Sequence, residues 1–297
     1  GFSNLLASNQ VLGQQRQNFV SVKDETSGKV IIGVEDGANN SYCDLLFYVN
    51  ASKTIEEPND RPVITPDDGN EPEKPDVTET KTGTLAFEDI WPGGGDYDMN
   101  DVIVEYNRAV SFDKKNQVTK IVDTFTPVHD GAVFANAFAY QVDKGQFGKM
   151  TFSATTEGIH TESATSSIIV CPNVKQAIQK VYTITREFTG GSFNKKDLKS
   201  YNPYIIVKYA EGQKGRTEVH LPKHEATSLA DLSLAGTQKD AYYIDKEGAY
   251  PFAIDIPILN FISVTEKKSI DTEYPNFKAW ADSKGEKYTD WYNNHVN

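Results

Sequence analysis

The stretch from Phe87 to Ala109 reads FEDIWPGGGDYDMNDVIVEYNRA, and it joins an acidic, glycine-rich turn directly to a β-strand. Val102, Ile103 and Val104 begin the strand, because consecutive β-branched residues favour extended backbone. Before them, five carboxylates and one amide fall within fourteen residues, and three glycines and a proline let the chain bend. The stretch predicts a β protein with a candidate metal site beside one strand.

Short segments rich in Val, Ile, Thr, Tyr and Phe recur on both sides of this strand, with turn residues between them. Their short, fairly regular spacing is typical of a sandwich or jelly roll. We therefore predict a mainly β fold: an antiparallel β-sandwich or jelly-roll-like domain with a C-terminal helix. The clearest predicted strands are Asp101–Ala109, Gln117–Val128, Phe134–Val142, Lys149–Glu157, Ser166–Val170, Val181–Phe188, Tyr204–Tyr209 and Phe252–Ile256.

Residues 270–294 carry a helical pattern of aromatic residues instead. Asp271 or Thr272 can cap such a helix and Gly285 can end it. We expect these aromatics to lock the tail onto the sheet, and a solvent-exposed ligand platform is the alternative. The stripe at positions i, i+3, i+6 and i+7 is Tyr274, Phe277, Trp280 and Ala281.

Composition divides the chain into three predicted segments. Residues 1–54 form a short β-rich segment, the remnant or partner of a second module, and residues 83–297 form the main β domain. Residues 55–82 are an acidic, proline-rich linker, since −7 of the net charge of −12 lies within 55–80. The alternative is a long acidic surface loop within one domain.

The net charge of −12 argues against nucleic acid and anionic membranes as partners, because both attract Lys/Arg clusters. No apolar stretch approaches the length of a membrane span. We therefore expect membrane association only through an N-terminal lipid anchor that this chain does not contain.

The sequence contains none of the common catalytic motifs: no P-loop, HExxH, GxSxG or CxxC. We therefore predict that the protein is not an enzyme. His220 and His224 are four residues apart, but Pro222 breaks helical presentation, so we expect ordinary loop histidines rather than a zinc site. Cys43 and Cys171 either pair in an oxidising compartment or pack as unpaired apolar groups.

The acidic turn offers only oxygen ligands, which suit a hard cation and Ca²⁺ first. It is not an EF-hand loop, because Asp101 stands where that loop needs Gly and Asn107 replaces its bidentate Glu. The alternative is an acidic turn held by hydrogen bonds to backbone amides. The predicted ligands of a structural Ca²⁺ are Glu88, Asp89, Asp96, Asp98, Asn100 and Asp101.

A shorter copy of this plan occurs near the N-terminus. Glu35 and Asp36 precede a Gly/Asn-rich turn, and Asp44 precedes an apolar strand. Ser41 and Cys43 stand near the places of the middle carboxylates, so we expect this degenerate motif to bind Ca²⁺ weakly or not at all.

One further pattern runs in order through 85–106, 130–143, 202–207, 218–237, 250–257 and 274–292. In these stretches the chain resembles the LruC-domain family of bacterial surface and outer-membrane lipoproteins, including many from Bacteroidetes. The resemblance implies a surface location and no enzyme activity. The chain departs from the family at Gln238, Lys239 and Asp240, where members often carry more Gly and Asp, so the specificity of a ligand-binding loop there is open.

These observations predict a secreted, non-enzymatic cell-surface protein with a Ca²⁺-stabilised β domain, acting in adhesion or as a structural module. Its partner would be an unidentified surface glycan or protein. A carbohydrate-binding module, in which aromatic side chains stack on sugars, is the first alternative. A hydrolase is the second alternative and requires a deep pocket with convergent polar groups.

Overall fold

A computed structural model gives the architecture. It describes residues 19–23, 30–34, 45–49, 77–188, 193–199, 201–212, 215–236 and 242–296. The chain divides into two compact units, 1–74 and 75–297. In the first unit, strands β1 (Phe19–Lys23), β2 (Val30–Val34) and β3 (Leu45–Val49) form an antiparallel sheet in the order β1-β2-β3.

The second unit contains two antiparallel sheets. Its strands are β4 (Val77–Phe87), β5 (Val102–Phe112), β6 (Gln117–His129), β7 (Ala137–Gln141), β8 (Thr151–Ala154), β9 (His160–Glu162), β10 (Ser167–Cys171), β11 (Tyr182–Glu187), β12 (Phe193–Asn194), β13 (Asn202–Ile206), β14 (Glu218–His220) and β15 (Ala253–Ile256). The larger sheet has the order β15-β4-β5-β6-β11-β8, and β12 also pairs with β6. The smaller sheet has the order β14-β13-β7-β10-β9.

The main core lies between these two sheets. Leu85 and Phe87 face it from β4, whereas Ala86 between them packs in a separate cluster on the other face. This alternation follows from the two-residue period of a strand. Phe125 of the larger sheet contacts Phe138 of the smaller sheet edge-on, with ring centroids 5.1 Å apart. The prediction of a mainly β, antiparallel sandwich is confirmed.

The predicted linker segment, 55–82, overlaps a strand at its C-terminal end. Residues 77–82 belong to β4 and pair with β5. Their side chains are mostly exposed, so they lack the apolar alternation that would identify a strand in the sequence. The predicted strand Tyr204–Tyr209 also ends early, at Ile206, because Lys208 adopts a φ of 57°.

The C-terminal helix is present but short. Two α-helices occur in the described residues, α1 (Lys144–Phe147) and α2 (Phe277–Asp282). Asn276, rather than Asp271 or Thr272, precedes α2. Pro275 explains the difference, because the residue before a proline is pushed away from helical backbone.

The segment 270–294 does pack on the sheet, as expected, and it does so with the residues before it; the tail below is the chain after β15, residues 257–296. Its apolar side chains cover the face of the larger sheet that points away from the main core, beside Ala86 and Ile103. Among the described residues, no helix has the length and apolarity that crossing a membrane requires. The tail residues of this second cluster are Phe261, Val264, Ile270, Tyr274, Phe277, Ala281 and Trp291.

Cys171 is a buried, free thiol, and the hydroxyl of Tyr182 lies 3.4 Å from its sulfur. Burial raises the pKa of this thiol, which keeps it protonated and unreactive. Cys43 lies outside the described residues.

Candidate metal centre

The acidic turn connects β4 to β5, and two of its residues occupy the left-handed region. Tyr97 and Met99 have φ angles of 56° and 55°, a conformation that costs a non-glycine residue about 1–2 kcal/mol. The N–H of Met99 donates to Glu88 Oε1 at 2.6 Å, and the N–H of Ile270 donates to the carbonyl of Tyr97 at 2.8 Å. Strain that persists in this way is common at functional sites.

Three carboxylates of the turn converge. Glu88, Asp96 and Asp98 each bring one oxygen within 4.8 Å of the other two. Two oxygens that bind one Ca²⁺ can lie at most about 5 Å apart, so this spacing suits shared coordination. Glu88 and Asp98 are buried and Asp96 is exposed, which leaves the group one side open to solvent.

Glu88 holds the most unusual atom of the group. Its side chain is fully buried, and Oε2 has no hydrogen-bond partner within the part of the chain that the structure describes. A Cβ added at Gly95 would lie 2.7 Å from this oxygen, so the glycine makes room for it. A buried carboxylate oxygen without a donor is costly, and a bound cation would remove that cost.

Backbone amides fix the orientation of Asp98. The N–H of Lys267 donates to Oδ2 at 2.9 Å, and the N–H of Asn100 donates to Oδ1 at 3.3 Å. The first of these bonds comes from the C-terminal tail, so the tail that covers the sheet also positions a candidate ligand.

The two buried carboxylates of the group, Glu88 and Asp98, resist ionisation in the absence of a cation. Burial raises the pKa of Glu88 well above its usual value, and the charges of Asp101, Asp98 and Asp96 raise it further. Burial and the charge of Asp96 likewise raise the pKa of Asp98. A divalent cation supplies the opposite charge that such a group lacks.

Asp89 and Asp101 form a second carboxyl pair beside this group. The N–H of Asp89 donates to Asp101 Oδ2 at 2.8 Å, and the side-chain amide of Asn136 donates to Asp89 Oδ2 at 2.7 Å. Burial and the charge of Asp89 raise the pKa of Asp101 to about 8. For Asp89 and Asp101, these contacts fit the alternative prediction, in which the acidic turn is held by hydrogen bonds.

Asn100 turns toward a neighbouring loop. Its amide N–H donates to the carbonyl of Val264 at 3.2 Å, and its Oδ1 is buried without a hydrogen-bond partner among the described residues. A Cβ on Gly131 would lie 2.4 Å from that oxygen, so only glycine fits there. Asp130 also has two buried carboxylate oxygens without a hydrogen bond among those residues, and its Oδ1 lies 3.6 Å from Lys175 Nζ.

Sequence reasoning missed three contributors: Asn136, the backbone of Lys267, and the backbone of Gly131, whose N–H donates to the carbonyl of Asn100 at 3.0 Å. Asp130-Gly131 follows the predicted strand Gln117–Val128 as a turn signal, but nothing local connects it to the acidic turn. Asn136 and Lys267 act through partners more than 40 residues away along the chain, which only the fold brings close. The degenerate motif of Glu35, Asp36 and Asp44 lies outside the described residues.

The two histidines have protein partners. His220 is not a loop residue as expected: it lies in β14, fully buried. Its ring nitrogens lie 2.8 Å from Asn202 Oδ1 and 2.9 Å from Glu218 Oε2. Nδ1 of His224 lies 3.3 Å from the carbonyl of Pro222.

Chemically, the acidic turn presents three converging carboxylate groups and backbone amides that orient two of them. Carboxylate oxygens are the ligand type that hard cations such as Ca²⁺ prefer.

Comparison with known proteins places the chain in a family. No curated protein matches it. A crystal structure of a "Putative lipoprotein" from Bacteroides ovatus is similar in fold, with a TM-score of 0.54 and 16% sequence identity over 91% of this chain and 89% of that chain. Residues 116–292 match a family described as "Domain of unknown function (DUF4842)". Because the match covers more than half of the chain, the protein belongs to the DUF4842 family.

Proposed function

We propose that this protein is a non-enzymatic cell-surface protein whose β domain is stabilised by one structural Ca²⁺. In this proposal Glu88, Asp96 and Asp98 are the protein ligands, and Asp89 and Asp101 orient the turn around them. The ion fixes the acidic turn to β5 and to the C-terminal tail, and the stabilised surface serves in adhesion or as a structural module.

One observation carries the proposal: the buried Glu88 carboxylate, whose Oε2 has no hydrogen-bond partner among the described residues, belongs to a group of three carboxylates that each bring one oxygen within 4.8 Å of the other two. An acidic turn held by hydrogen bonds alone would satisfy its buried oxygens with donors. The proposed surface location has separate support. The resemblance to LruC-domain lipoproteins and the fold similarity to a Bacteroides ovatus protein described as a "Putative lipoprotein" support it.

Thermal unfolding tests the proposal. Wild-type protein in excess Ca²⁺ should unfold about 5–10 °C higher than in EDTA when the Ca²⁺ concentration is about 100 times Kd. The variant Asp98→Asn should lose this difference. The exposed Glu157→Gln variant is the matched control and should keep it. Equal melting temperatures of the wild type in Ca²⁺ and EDTA would reject the structural role of the ion.

The carbohydrate-binding alternative requires an exposed, planar row of aromatic side chains. Trp91 and Trp291 are only 4% and 3% exposed, and Trp280 is half-buried. Tyr242 and Tyr288 are exposed, but two tyrosines do not make a row. The described residues therefore offer this alternative no specific support.

A further inference from the structure

A second charged cluster lies at the rim of the sandwich core, on the face of the larger sheet that points toward the smaller sheet. Arg108 of β5 and Asp123 of β6 are directly opposed in the sheet, and Asp123 is opposed on its other side by Ile184 of β11. Arg186 lies two residues beyond Ile184 on the same strand, so its side chain shares the face with Asp123.

Asp123 binds both arginines. Arg108 Nε donates to Oδ1 at 2.6 Å, and Arg186 Nη2 donates to Oδ2 at 2.8 Å. Burial alone would raise the pKa of Asp123, but the charges of the two guanidinium groups outweigh it and lower the pKa. Asp123 is therefore a carboxylate, and it supplies one negative charge to two positive ones.

The cluster borders a small cleft of about 20 Å³ that opens to solvent. Lys199 also lines it, and its charge is met by Asp143 at 2.9 Å. The charges around the cleft therefore leave one guanidinium without a counter-charge among the described residues. Leaving a positive charge unmatched at a buried position is costly. The lining residues are Arg108, Gln141, Val142, Asp143, Gln146, Arg186, Leu198, Lys199 and Tyr201.

Two buried donors of the lining are unpaired. Arg186 is 2% exposed, and its Nε has no hydrogen-bond partner among the described residues. The hydroxyl of Tyr201 is also buried without a partner there. The Tyr201 ring is firmly placed, because the Arg108 guanidinium lies 3.9 Å over its centroid and Phe125 stacks on it at 6.1 Å.

From this surplus charge and these unpaired donors we infer that the cleft binds the carboxylate group of a small organic acid. One carboxylate carries the single negative charge that the cluster lacks and two oxygens for the two free donors. A dianion such as sulfate would overcompensate the charge and approach Asp123. The cleft is far smaller than the usual ligand pocket of about 300–1,000 Å³, so it has room only for the acid group of a small molecule.

Acetate is the probe for this inference. We would titrate isotope-labelled protein with sodium acetate in place of sodium chloride at constant ionic strength and follow the Arg186 Nε–H resonance by NMR. A saturable shift of that resonance is expected with acetate, and a weaker one with sulfate. The experiment does not involve the acidic turn, so it is independent of the proposed Ca²⁺ site.

Tyr201→Phe is the decisive variant, since it removes only an unpaired hydroxyl and keeps the ring. Its affinity for acetate should fall about tenfold, the size of one hydrogen bond to a charged group, while its melting temperature stays equal or rises. The matched control Tyr288→Phe changes an exposed tyrosine outside the cleft and should bind acetate as the wild type does.

Arg108→Gln provides the second variant. It leaves Asp123 and Arg186 as a balanced pair, so acetate binding should disappear. The inference is overturned if acetate produces no saturable shift of the Arg186 resonance, if chloride or sulfate competes equally well, or if Tyr201→Phe binds acetate with unchanged affinity.

Discussion

Glu88 is the residue on which the proposed metal site depends most. Its carboxylate receives one backbone N–H on Oε1 and none among the described residues on Oε2, although the side chain is fully buried. Without a bound cation, burying an ionised glutamate in that position costs more free energy than burying a neutral side chain there.

Replacing Glu88 with Gln should therefore separate binding from stability. The affinity for Ca²⁺ should fall at least about tenfold, because the charge of the ligand set controls affinity. In EDTA the variant should be as stable as the wild type or more stable, since a buried carboxyl group with an unpaired oxygen is gone. Denaturant unfolding with and without Ca²⁺ measures both effects, with Glu157→Gln as control. A variant that is destabilised in EDTA and retains wild-type affinity would show that Glu88 is only a structural hydrogen-bond acceptor.

Glu218 and His220 of β14 are two buried ionisable residues on which the stability of the fold depends. Burial would raise the pKa of Glu218, but His220, Thr227 and Arg216 outweigh it and lower the pKa. Arg216 Nε lies 2.6 Å from Glu218 Oε1 and the Thr227 hydroxyl donates to the same oxygen at 2.7 Å. Burial lowers the pKa of His220, partly opposed by Glu218.

Both shifts make acid destabilising. A lowered carboxyl pKa contributes stability above its unfolded value of 4.5 that is lost as the pH falls through the folded value. A lowered histidine pKa favours protonation of the unfolded chain, so stability also falls as the pH drops below 6.5. We expect Glu218→Gln to lower the free energy of unfolding by about 3 kcal/mol at pH 7. Below pH 4.5 the stability of this variant should depend less steeply on pH than that of the wild type.

Urea unfolding from pH 7 to pH 3.5 checks this expectation, and the exposed Glu225→Gln variant from the same region is the control. An unchanged stability of Glu218→Gln at pH 7 would contradict the account of this network.

At the scale of elements, the loop between β4 and β5 contains three glycines, and one of them leaves the space that the Glu88 side chain occupies. Gly95 faces Glu88 Oε2, where a Cβ would come within 2.7 Å, whereas a Cβ on Gly93 would meet its nearest neighbour, the carbonyl of Ile90, at 3.4 Å. The end of a glutamate side chain can move, so the added methyl group should displace the carboxylate rather than unfold the loop.

The pair Gly95→Ala and Gly93→Ala tests this fit. We expect Gly95→Ala to weaken Ca²⁺ binding about tenfold and Gly93→Ala to leave it unchanged, both with far-ultraviolet circular dichroism like that of the wild type. Titration with Ca²⁺ would decide. Equal affinities in the two variants would mean that the Glu88 carboxylate is not where the ion binds.

Elements with strong apolar alternation could be predicted from the sequence, and others could not. β6 and β11 lie within one residue of their predicted bounds because buried and partly buried side chains alternate along most of their length. The first half of β4 is exposed on both faces and reads as linker. The stripe of aromatics in the tail predicted its packing correctly, but Pro275 limits the helix itself to six residues.

For the whole molecule, the sequence indicated the acidic site but not how its residues divide. Six neighbouring oxygen donors all looked equivalent along the chain. The fold gives them different partners. The side-chain amide of Asn136 donates to Asp89, and the backbone N–H of Lys267 in the tail donates to Asp98. Those partners belong to other elements, so their influence depends on the packing of the two sheets and the tail. The candidate carboxylate cleft likewise combines β5, β6 and β11, and no local motif marks it.

The proposed ion would join three parts of the second unit: the turn, β5 and the C-terminal tail. The tail would contribute through the N–H of Lys267, which donates to Asp98 Oδ2 at 2.9 Å. On this proposal, removal of the ion would lower the stability of the β domain.

Calorimetric titration of EDTA-stripped protein with Ca²⁺ tests this claim most directly, with Mg²⁺ as the comparison and the Glu88→Gln/Asp98→Asn double variant as the control. The account predicts saturable Ca²⁺ binding at one site in the described β domain, weaker binding of Mg²⁺, and loss of that site in the double variant. Absence of binding heat in the wild type, together with an unchanged melting temperature, would contradict it, as would an undiminished site in the double variant.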